Sequence, residues 1–243
     1  MSASSPPSLI VTTSWDDGSV FDLKIAELLA KYGVRGTFYV PKSLFAHPLS
    51  PGDIREIDKH LEVGSHTLHH VDLTRVPPER AEAEIVGSRA YLEDLLGHPV
   101  AMLSYPDGKH SRGVAEMVRR AGFVAARTCV SCGFQTPRDR YRWGVTMLAC
   151  DGSPLLAARG WLKSPFPLRG LRDWEARARY LWDRALKAGG VYHIYGHAMN
   201  LELDNHWDRL ERVLAYISGR QGVRYLTNGE LFASPGGGAA HRP

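Results

Sequence analysis

Residues 9–18 read LIVTTSWDDG, an apolar and β-branched run that ends in two aspartates and a glycine. Such a run predicts a buried β-strand, and the Asp-Asp-Gly that follows it predicts a turn. Short apolar runs of this kind recur along the chain, separated by amphipathic stretches that are typical of helices. Regular alternation of strands and helices predicts parallel strands in an α/β architecture.

The number of these units indicates how the sheet is arranged. Seven or eight strand–helix units follow one another without an internal repeat or a flexible linker, which favours a closed barrel over an open sheet. We therefore expect one domain over residues 1–233 and a disordered tail over 234–243, where apolar residues are too few to pack. In such barrels the functional residues lie at the C-terminal ends of the strands.

Composition and charge narrow the function classes. The chain has 243 residues and a net charge of +4, which is too mild to indicate a nucleic-acid partner. No apolar run approaches the roughly 18 residues of a membrane span, and the N-terminus lacks the pattern of a signal peptide. Three cysteines are too few for a disulfide framework, and we interpret Cys129 and Cys132 as semi-buried thiols at a strand end. These features predict a cytoplasmic protein with reduced thiols.

Two polar motifs follow predicted strands. Asp16 and Asp17 follow the first strand, and HTLHH (66–70) follows the third. Taken alone, the first is an ordinary turn and the second is an exposed histidine cluster. Together they bring carboxylates and two histidines four residues apart, His66 and His70, to one rim of the predicted barrel, where they could bind one divalent cation. The second carboxylate would then be free to act as a base beside the metal.

SWDDG (14–18) and HTLHH resemble the first two motifs of the polysaccharide deacetylases related to the nodulation-factor chitooligosaccharide deacetylase, carbohydrate esterase family 4. The resemblance covers nearly the whole chain and implies a distorted (β/α)7-type barrel. It implies that Asp16 is the general base and that Asp17, His66 and His70 are the ligands of one divalent metal ion. The ligand set favours zinc, with cobalt, nickel or manganese as alternatives.

The third motif of the family, often R-x-P-[FY], aligns with the segment SYPDG that begins at Ser104. Ser104 stands where the arginine is expected, and Asp107 stands where the aromatic residue is expected. The arginine contact to the base is therefore absent here or supplied from elsewhere. The resemblance implies that Tyr105, Pro106 and Asp107 bind the substrate, with a backbone N–H near Asp107 stabilising the oxyanion.

The final family motif is a histidine at the end of the seventh strand, which acts as the general acid. The segment VYHIYGH (191–197) offers His193 and His197 on the same face of the strand. We predict that His197 is the acid because it lies at the C-terminal end, and that His193 is structural. The fourth motif, which orients the acid, has two candidates in this chain: Asp151 and the pair Asp173–Trp174.

These residues predict a hydrolase that removes an acyl group, N-acetyl in the first instance, from an amino sugar or an oligo- or polysaccharide. A formamido sugar on a lipid carrier or a non-sugar amide is an alternative substrate. A catalytically impaired sugar-binding homologue is a second alternative, because Ser104 replaces the arginine. A non-haem iron oxygenase also uses two histidines and one carboxylate, but it needs no second carboxylate such as Asp16.

Overall fold

The computed structural model describes residues 8–43, 47–151 and 166–233. Within these ranges the chain forms nine β-strands and eight α-helices. The strands are β1 (Leu9–Asp16), β2 (Gly36–Val40), β3 (Glu62–Ser65), β4 (Met102–Ser104), β5 (Ala125–Ser131), β6 (Trp143–Val145), β7 (Met147–Leu148), β8 (Gly190–His197) and β9 (Val223–Tyr225). The helices are α1 (Asp22–Tyr32), α2 (Pro51–Asp58), α3 (Pro78–Leu96), α4 (Arg112–Arg120), α5 (Trp174–Ala188), α6 (Ala198–Leu203), α7 (Trp207–Ile217) and α8 (Asn228–Ala233).

The strands pair in parallel in the order β6-β5-β4-β3-β2-β1-β8-β7, and β9 pairs with the beginning of β1. β6 and β7 belong to one short stretch of chain, in which β6 pairs with β5 and β7 pairs with β8. This stretch joins the two ends of the sheet and closes a barrel with seven strand positions, one of which β6 and β7 share. The expected distorted (β/α)7-type barrel is therefore confirmed.

The stretch that closes the barrel is divided at Thr146 into two short strands, β6 and β7. The hydroxyl of Thr146 donates to the carbonyl of Gly133 at 2.8 Å, and its backbone N–H donates to the carbonyl of His193 at 2.9 Å. Thr146 thus bonds to the segment after β5 on one side and to β8 on the other. At this residue the chain stops pairing with β5 and begins to pair with β8. The division allows one short stretch to complete the barrel.

Side chains of successive strand residues alternate between two apolar layers. The layer inside the barrel includes Tyr39, Met102 and Trp143, which pack with Phe232 of α8. The layer outside includes Trp15 and many other strand residues, which pack against the helices. Burying a large apolar side chain contributes about 1.5–3 kcal/mol. The two layers together make the barrel a rigid support for the residues at its rim.

The domain boundary expected from the sequence, 1–233, stays a prediction. The expected disordered tail, 234–243, lies outside the described residues. Within the described ranges, no helix combines the length and the apolar character that crossing a membrane requires.

Candidate active site

The end of β1 places two carboxylates at the C-terminal rim of the barrel. Asp16 is the last residue of β1, and its register partner on β8 is His197. Asp17 has a left-handed backbone (φ 83°), as does Gly18 (φ 65°), so the chain turns immediately after the strand. A left-handed conformation at a non-glycine residue costs about 1–3 kcal/mol and is concentrated at functional sites. The turn lets both adjacent carboxylates approach one site, which a continuing strand would not allow.

Asp17, His66 and His70 come together as a candidate metal site. One potential ligand atom of each residue lies within 4.8 Å of the others. The Nε2 atoms of His66 and His70 are each 3.5 Å from Asp17 Oδ1. The Nδ1 of His66 lies 2.8 Å from the carbonyl of Ser104. Because a carbonyl can only accept, Nδ1 carries the proton, which leaves the lone pair of Nε2 for a cation.

The HTLHH segment forms a tight turn and not the helical turn that a spacing of four suggests. Thr67 (φ 67°) and His70 (φ 52°) both have left-handed backbones. This geometry brings the rings of His66 and His70 edge to face, with centroids 4.7 Å apart. His69 points away, and its Nδ1 lies 2.9 Å from Glu84 Oε1. The turn therefore places His66 and His70 in the candidate metal site and His69 outside it.

The residues present fit a divalent cation. Asp17 Oδ1 is buried and has no hydrogen-bond partner among the described residues, which is the state expected of an oxygen that awaits a ligand. Burial lowers the pKa of His66, but the charges of Asp16 and Asp17 more than compensate and raise it. Burial and the neighbouring His66 lower the pKa of His70, favouring the neutral form that ligation requires. The site therefore attracts positive charge, and its one carboxylate and two imidazoles suit zinc or a similar ion.

Asp16 is paired with an arginine that the sequence analysis missed. Arg127 of β5 is fully buried, and its Nη2 donates to both carboxylate oxygens of Asp16 and, at 2.7 Å, to Ser104 Oγ. Burial raises the pKa of Asp16, but Arg127 and, less strongly, His66 lower it to about 2, so Asp16 is ionised at neutral pH. The sequence carried a signal for this contact, because Arg127 is a charged residue within the apolar strand FVAART.

Tyr105 is placed differently from the expectation that it binds the substrate. Its side chain is fully buried, and its hydroxyl donates to the carbonyl of Tyr141 at 2.9 Å. Its backbone N–H donates to the carbonyl of Arg127 at 3.0 Å. Both donors of Tyr105 thus hold the end of β4 in place and are not available to a ligand.

Pro106 and Asp107 form a one-turn 3-10 helix that ends at Gly108. Pro106 is buried and has no N–H, whereas the N–H of Gly108 donates to the carbonyl of Tyr105 at 2.8 Å. Asp107 is exposed and has a left-handed backbone (φ 54°). The backbone N–H of Asp107 is therefore the donor of this turn best suited to an oxyanion, and its role in the reaction stays a prediction.

The two histidines of β8 have different surroundings. His197 lies at the rim, is partly buried, and has its Nε2 3.9 Å from Asp17 Oδ2. Its Nδ1 is buried and has no hydrogen-bond partner among the described residues. His193 lies inside the barrel, where its Nε2 is 2.8 Å from Ser14 Oγ and its ring stacks on Trp143 at 4.6 Å. Burial and Arg127 lower the pKa of His193 to about 3, so it is neutral.

Neither candidate for the fourth motif touches His197 in the structure. Asp151 accepts from the backbone N–H of Trp174 at 2.7 Å and from Arg209 at 2.5 Å. Asp173 is the N-cap of α5. Trp174 is fully buried, and its ring N–H points to His206. These residues hold the beginning of α5 against the end of β7 and do not orient the predicted acid.

Known proteins resemble this chain in sequence. The model of the polysaccharide deacetylase family matches residues 3–126. The Bacillus subtilis protein YxkH, named as a polysaccharide deacetylase, is 25% identical over 122 residues, which are 49% of this chain and 44% of that one. A peptidoglycan-N-acetylglucosamine deacetylase of Bacillus cereus is 24% identical over 139 residues, 56% of this chain and 62% of that one. The chain thus spans less than two thirds of the length of either relative.

Solved structures share the fold over almost the whole chain. A Mycobacterium smegmatis protein assigned to the polysaccharide deacetylases has a TM-score of 0.70 at 16% identity, covering 96% of this chain and 92% of that one. The chitin deacetylase of Colletotrichum lindemuthianum has a TM-score of 0.63 at 17% identity, covering 92% and 87%. The barrel and the family match over half of the sequence agree: the chain belongs to the polysaccharide deacetylase family.

Proposed function

We propose that the protein is a metal-dependent hydrolase that removes an acyl group, N-acetyl in the first instance, from an amino sugar of an oligo- or polysaccharide. The observation that carries the proposal is that a carboxylate, a set of candidate metal ligands and a further histidine lie together at one rim of the barrel. An ionised carboxylate (Asp16) lies 3.8 Å from the Nε2 of a candidate ligand, His66, and His197 lies 3.9 Å from another, Asp17. Amide hydrolysis by water requires a base, an electrophile and an acid in this proximity.

Asp17, His66 and His70 would hold the cation, which when bound supplies a Lewis acid for the amide carbonyl. The neighbouring residues then have separate tasks. Asp16 accepts a proton from the water whose oxygen forms a bond to the carbonyl carbon. The backbone N–H of Asp107 donates to the oxyanion that results.

His197 completes the reaction as the general acid. In its protonated form it donates to the amide nitrogen while the carbon–nitrogen bond breaks, because an amine leaves far more readily than an amide anion. The products are the carboxylic acid and the free amino sugar, and the proton gained by Asp16 returns to the solvent. His197 lies on the same rim as Asp16, since the two are register partners in adjacent strands.

The alternatives differ in their support. A formamido sugar on a lipid carrier, or a non-sugar amide, would use the same groups and differ only in the acyl or leaving group. A catalytically impaired homologue is less well supported than the sequence suggests, because Arg127 restores the contact that Ser104 lacks. Asp16 beside the ligand set counts against an iron oxygenase. A cytoplasmic location stays a prediction.

The test is a screen of N-acetylated and N-formylated amino-sugar oligomers against the zinc- and cobalt-loaded protein, with release of acetate or formate measured. We expect release from at least one N-acetylated oligomer and none with the Asp16→Asn variant. Release of formate alone would move the proposal to the formamido substrates. No release from any sugar, with metal bound, would contradict it.

A further inference from the structure

We infer that Arg127 positions the general base, a task that this chain has moved from position 104 to the neighbouring strand. The inference rests on the proposed function, in which Asp16 is the base. Among the described residues, Arg127 makes no hydrogen bond or ion pair with Asp17, His66 or His70 and pairs instead with Asp16. It therefore acts through Asp16 and is a positioning residue.

The two positions are interchangeable in space. Ser104 of β4 and Arg127 of β5 are register partners in adjacent parallel strands. Both side chains point into the barrel toward Asp16, with Ser104 Oγ 3.4 Å from Asp16 Oδ2 and 2.7 Å from Arg127 Nη2. A guanidinium that starts from either strand can therefore reach the same carboxylate.

The guanidinium is itself held on two sides. Its centre lies 5.2 Å from the ring of Tyr39 and 5.0 Å from the ring of Tyr195. The Tyr39 hydroxyl donates to Asn228 Oδ1 at 2.9 Å, which fixes that ring. Contacts between a cation and aromatic faces strengthen when water is excluded, as it is around the fully buried Arg127. The arginine is thus a fixed point against which the carboxylate of Asp16 is aligned.

The contact explains how two adjacent aspartates take different roles. The pairing with Arg127 occupies both oxygens of Asp16, whereas Asp17 Oδ1 has no hydrogen-bond partner among the described residues. Without the guanidinium, Asp16 would keep two polar neighbours, Ser104 Oγ at 3.4 Å and His66 Nε2 at 3.8 Å. Asp16 would then be free to turn toward the cation and join its ligands. Arg127 therefore keeps Asp16 beside the ligand set and out of it.

The inference is tested by exchanging the two side chains. Arg127→Ser removes the guanidinium, and the double variant Ser104→Arg/Arg127→Ser returns it from the partner position with side-chain volume conserved. We expect kcat for the best oligomer of the screen to fall about 10- to 10³-fold in Arg127→Ser, part of what a general base contributes, with KM changed less than threefold. The exchange variant should recover at least tenfold in kcat.

Two further variants distinguish a loss of positioning from a general loss of folding. Arg127→Lys keeps a charge, but its ammonium lies one bond closer to the backbone than Nη2, the nitrogen that contacts both carboxylate oxygens and Ser104. It also lacks the planar group that lies between Tyr39 and Tyr195, so kcat should still fall at least tenfold. Arg177→Met is the matched control, because Arg177 is also buried but donates to the carbonyls of Gly170, Leu148 and Cys150. At a temperature where it is folded, its kcat should stay within threefold of wild type.

A structural readout separates this inference from the proposed function. Crystal structures of the metal-free Arg127→Ser and exchange variants should show the Asp16 carboxylate turned toward His66 in the first and returned in the second. An Asp16 that keeps its position in Arg127→Ser, or a folded exchange variant no more active than Arg127→Ser, would overturn the inference. If the wild type hydrolyses no oligomer, the proposed function fails, and the position of Asp16 alone decides the inference.

Discussion

At the scale of single residues, Asp16 and Asp17 share a side chain and differ only in their neighbours. Asp16 is enclosed by Arg127 and Ser104, whereas Asp17 faces His66 and His70. We expect Asp16→Asn to retain zinc and to lose about 10²–10⁴-fold in turnover, because it removes a base and not a ligand. Asp17→Asn should lose zinc first. Equilibrium dialysis and acetate release on the same preparations check both, and loss of zinc from Asp16→Asn alone would reverse the assignment.

A third aspartate near the site carries a pH prediction. Asp22 is fully buried, and neither carboxyl oxygen has a well-aligned hydrogen-bond partner among the described residues. Burial, with the charges of Asp17 and Asp16, raises its pKa well above 3.8. As the pH rises past 3.8, the unfolded chain releases this proton while the folded chain retains it, so the wild type loses stability.

Asp22→Asn removes this loss because an amide does not titrate. We expect the free energy of unfolding of the variant to exceed that of the wild type at pH 8 and to equal it below pH 4, measured by urea denaturation. Asp94→Asn, at an exposed position of α3, is the control and should change stability little at either pH. An Asp22→Asn variant that is less stable than wild type at pH 8 would show that the carboxyl has a partner.

At the scale of elements, local sequence signals account for several helix boundaries. Gly33 ends α1 in a left-handed conformation, and Ser50 and Ser111 accept from the first turns of α2 and α4, as their sequence context suggests. α6 and α8 carry no such signal, because six residues are too few to show a helical period. Local signals fail where the determinant is a distant residue, as with Arg127, which lies 111 positions from Asp16.

The tight turn over residues 66–70, which carries His66 and His70, also depends on a contact with a residue distant in sequence. Glu84 of α3 is buried, and it accepts from the backbone N–H of His69 at 2.9 Å while its other oxygen lies 2.9 Å from His69 Nδ1. In Glu84→Ala the backbone N–H loses its partner, which costs about 1–3 kcal/mol. Because support beyond the ligands orients them, zinc affinity should also fall about 10–100-fold.

Glu82→Ala is the control for this prediction, since Glu82 is on the same helix but exposed. Urea denaturation measures the stability of both variants, and competition with a chelator measures their zinc affinity. Equal zinc affinity in the two variants would mean that the turn keeps its shape without Glu84. The sequence could place His66 and His70 in the site, but it could not show that α3 holds the turn between them.

At the scale of the whole molecule, the barrel depends on the short stretch that joins its ends. The pairing of β5 with β6 in this stretch is irregular, because its register shifts between Arg127 and Ser131 of β5. Alternation of strands and helices predicted parallel strands, and the number of strand–helix units predicted a closed barrel. The seam, by which we mean β6 and β7 with their pairing to β5 and β8, could not be predicted. No local sequence pattern shows which distant strands these short segments pair with.

Gly144, in the middle of β6, is closely packed against β5. A Cβ there would lie 2.1 Å from the carbonyl oxygen of Val130 and 3.2 Å from the Cβ of Cys132. The first contact is with backbone, which cannot move aside as a flexible side chain would, so Gly144→Ala must push β5 and β6 apart. We expect it to lower the free energy of unfolding by about 1–3 kcal/mol, as overpacking of a core does.

Gly52→Ala is the matched control for this substitution. Gly52 lies in the first turn of α2, and a Cβ there would meet Ser50 Oγ at 3.6 Å, an ordinary contact. Since alanine is favoured over glycine in a helix by up to about 1 kcal/mol, this variant should be as stable as wild type or more stable. Thermal and urea unfolding of the two variants compare a seam residue with a surface residue. A Gly144→Ala protein as stable as Gly52→Ala would mean that β5 and β6 can move apart without lowering the free energy of unfolding. The close pairing of these two strands would then not contribute to the stability of the barrel.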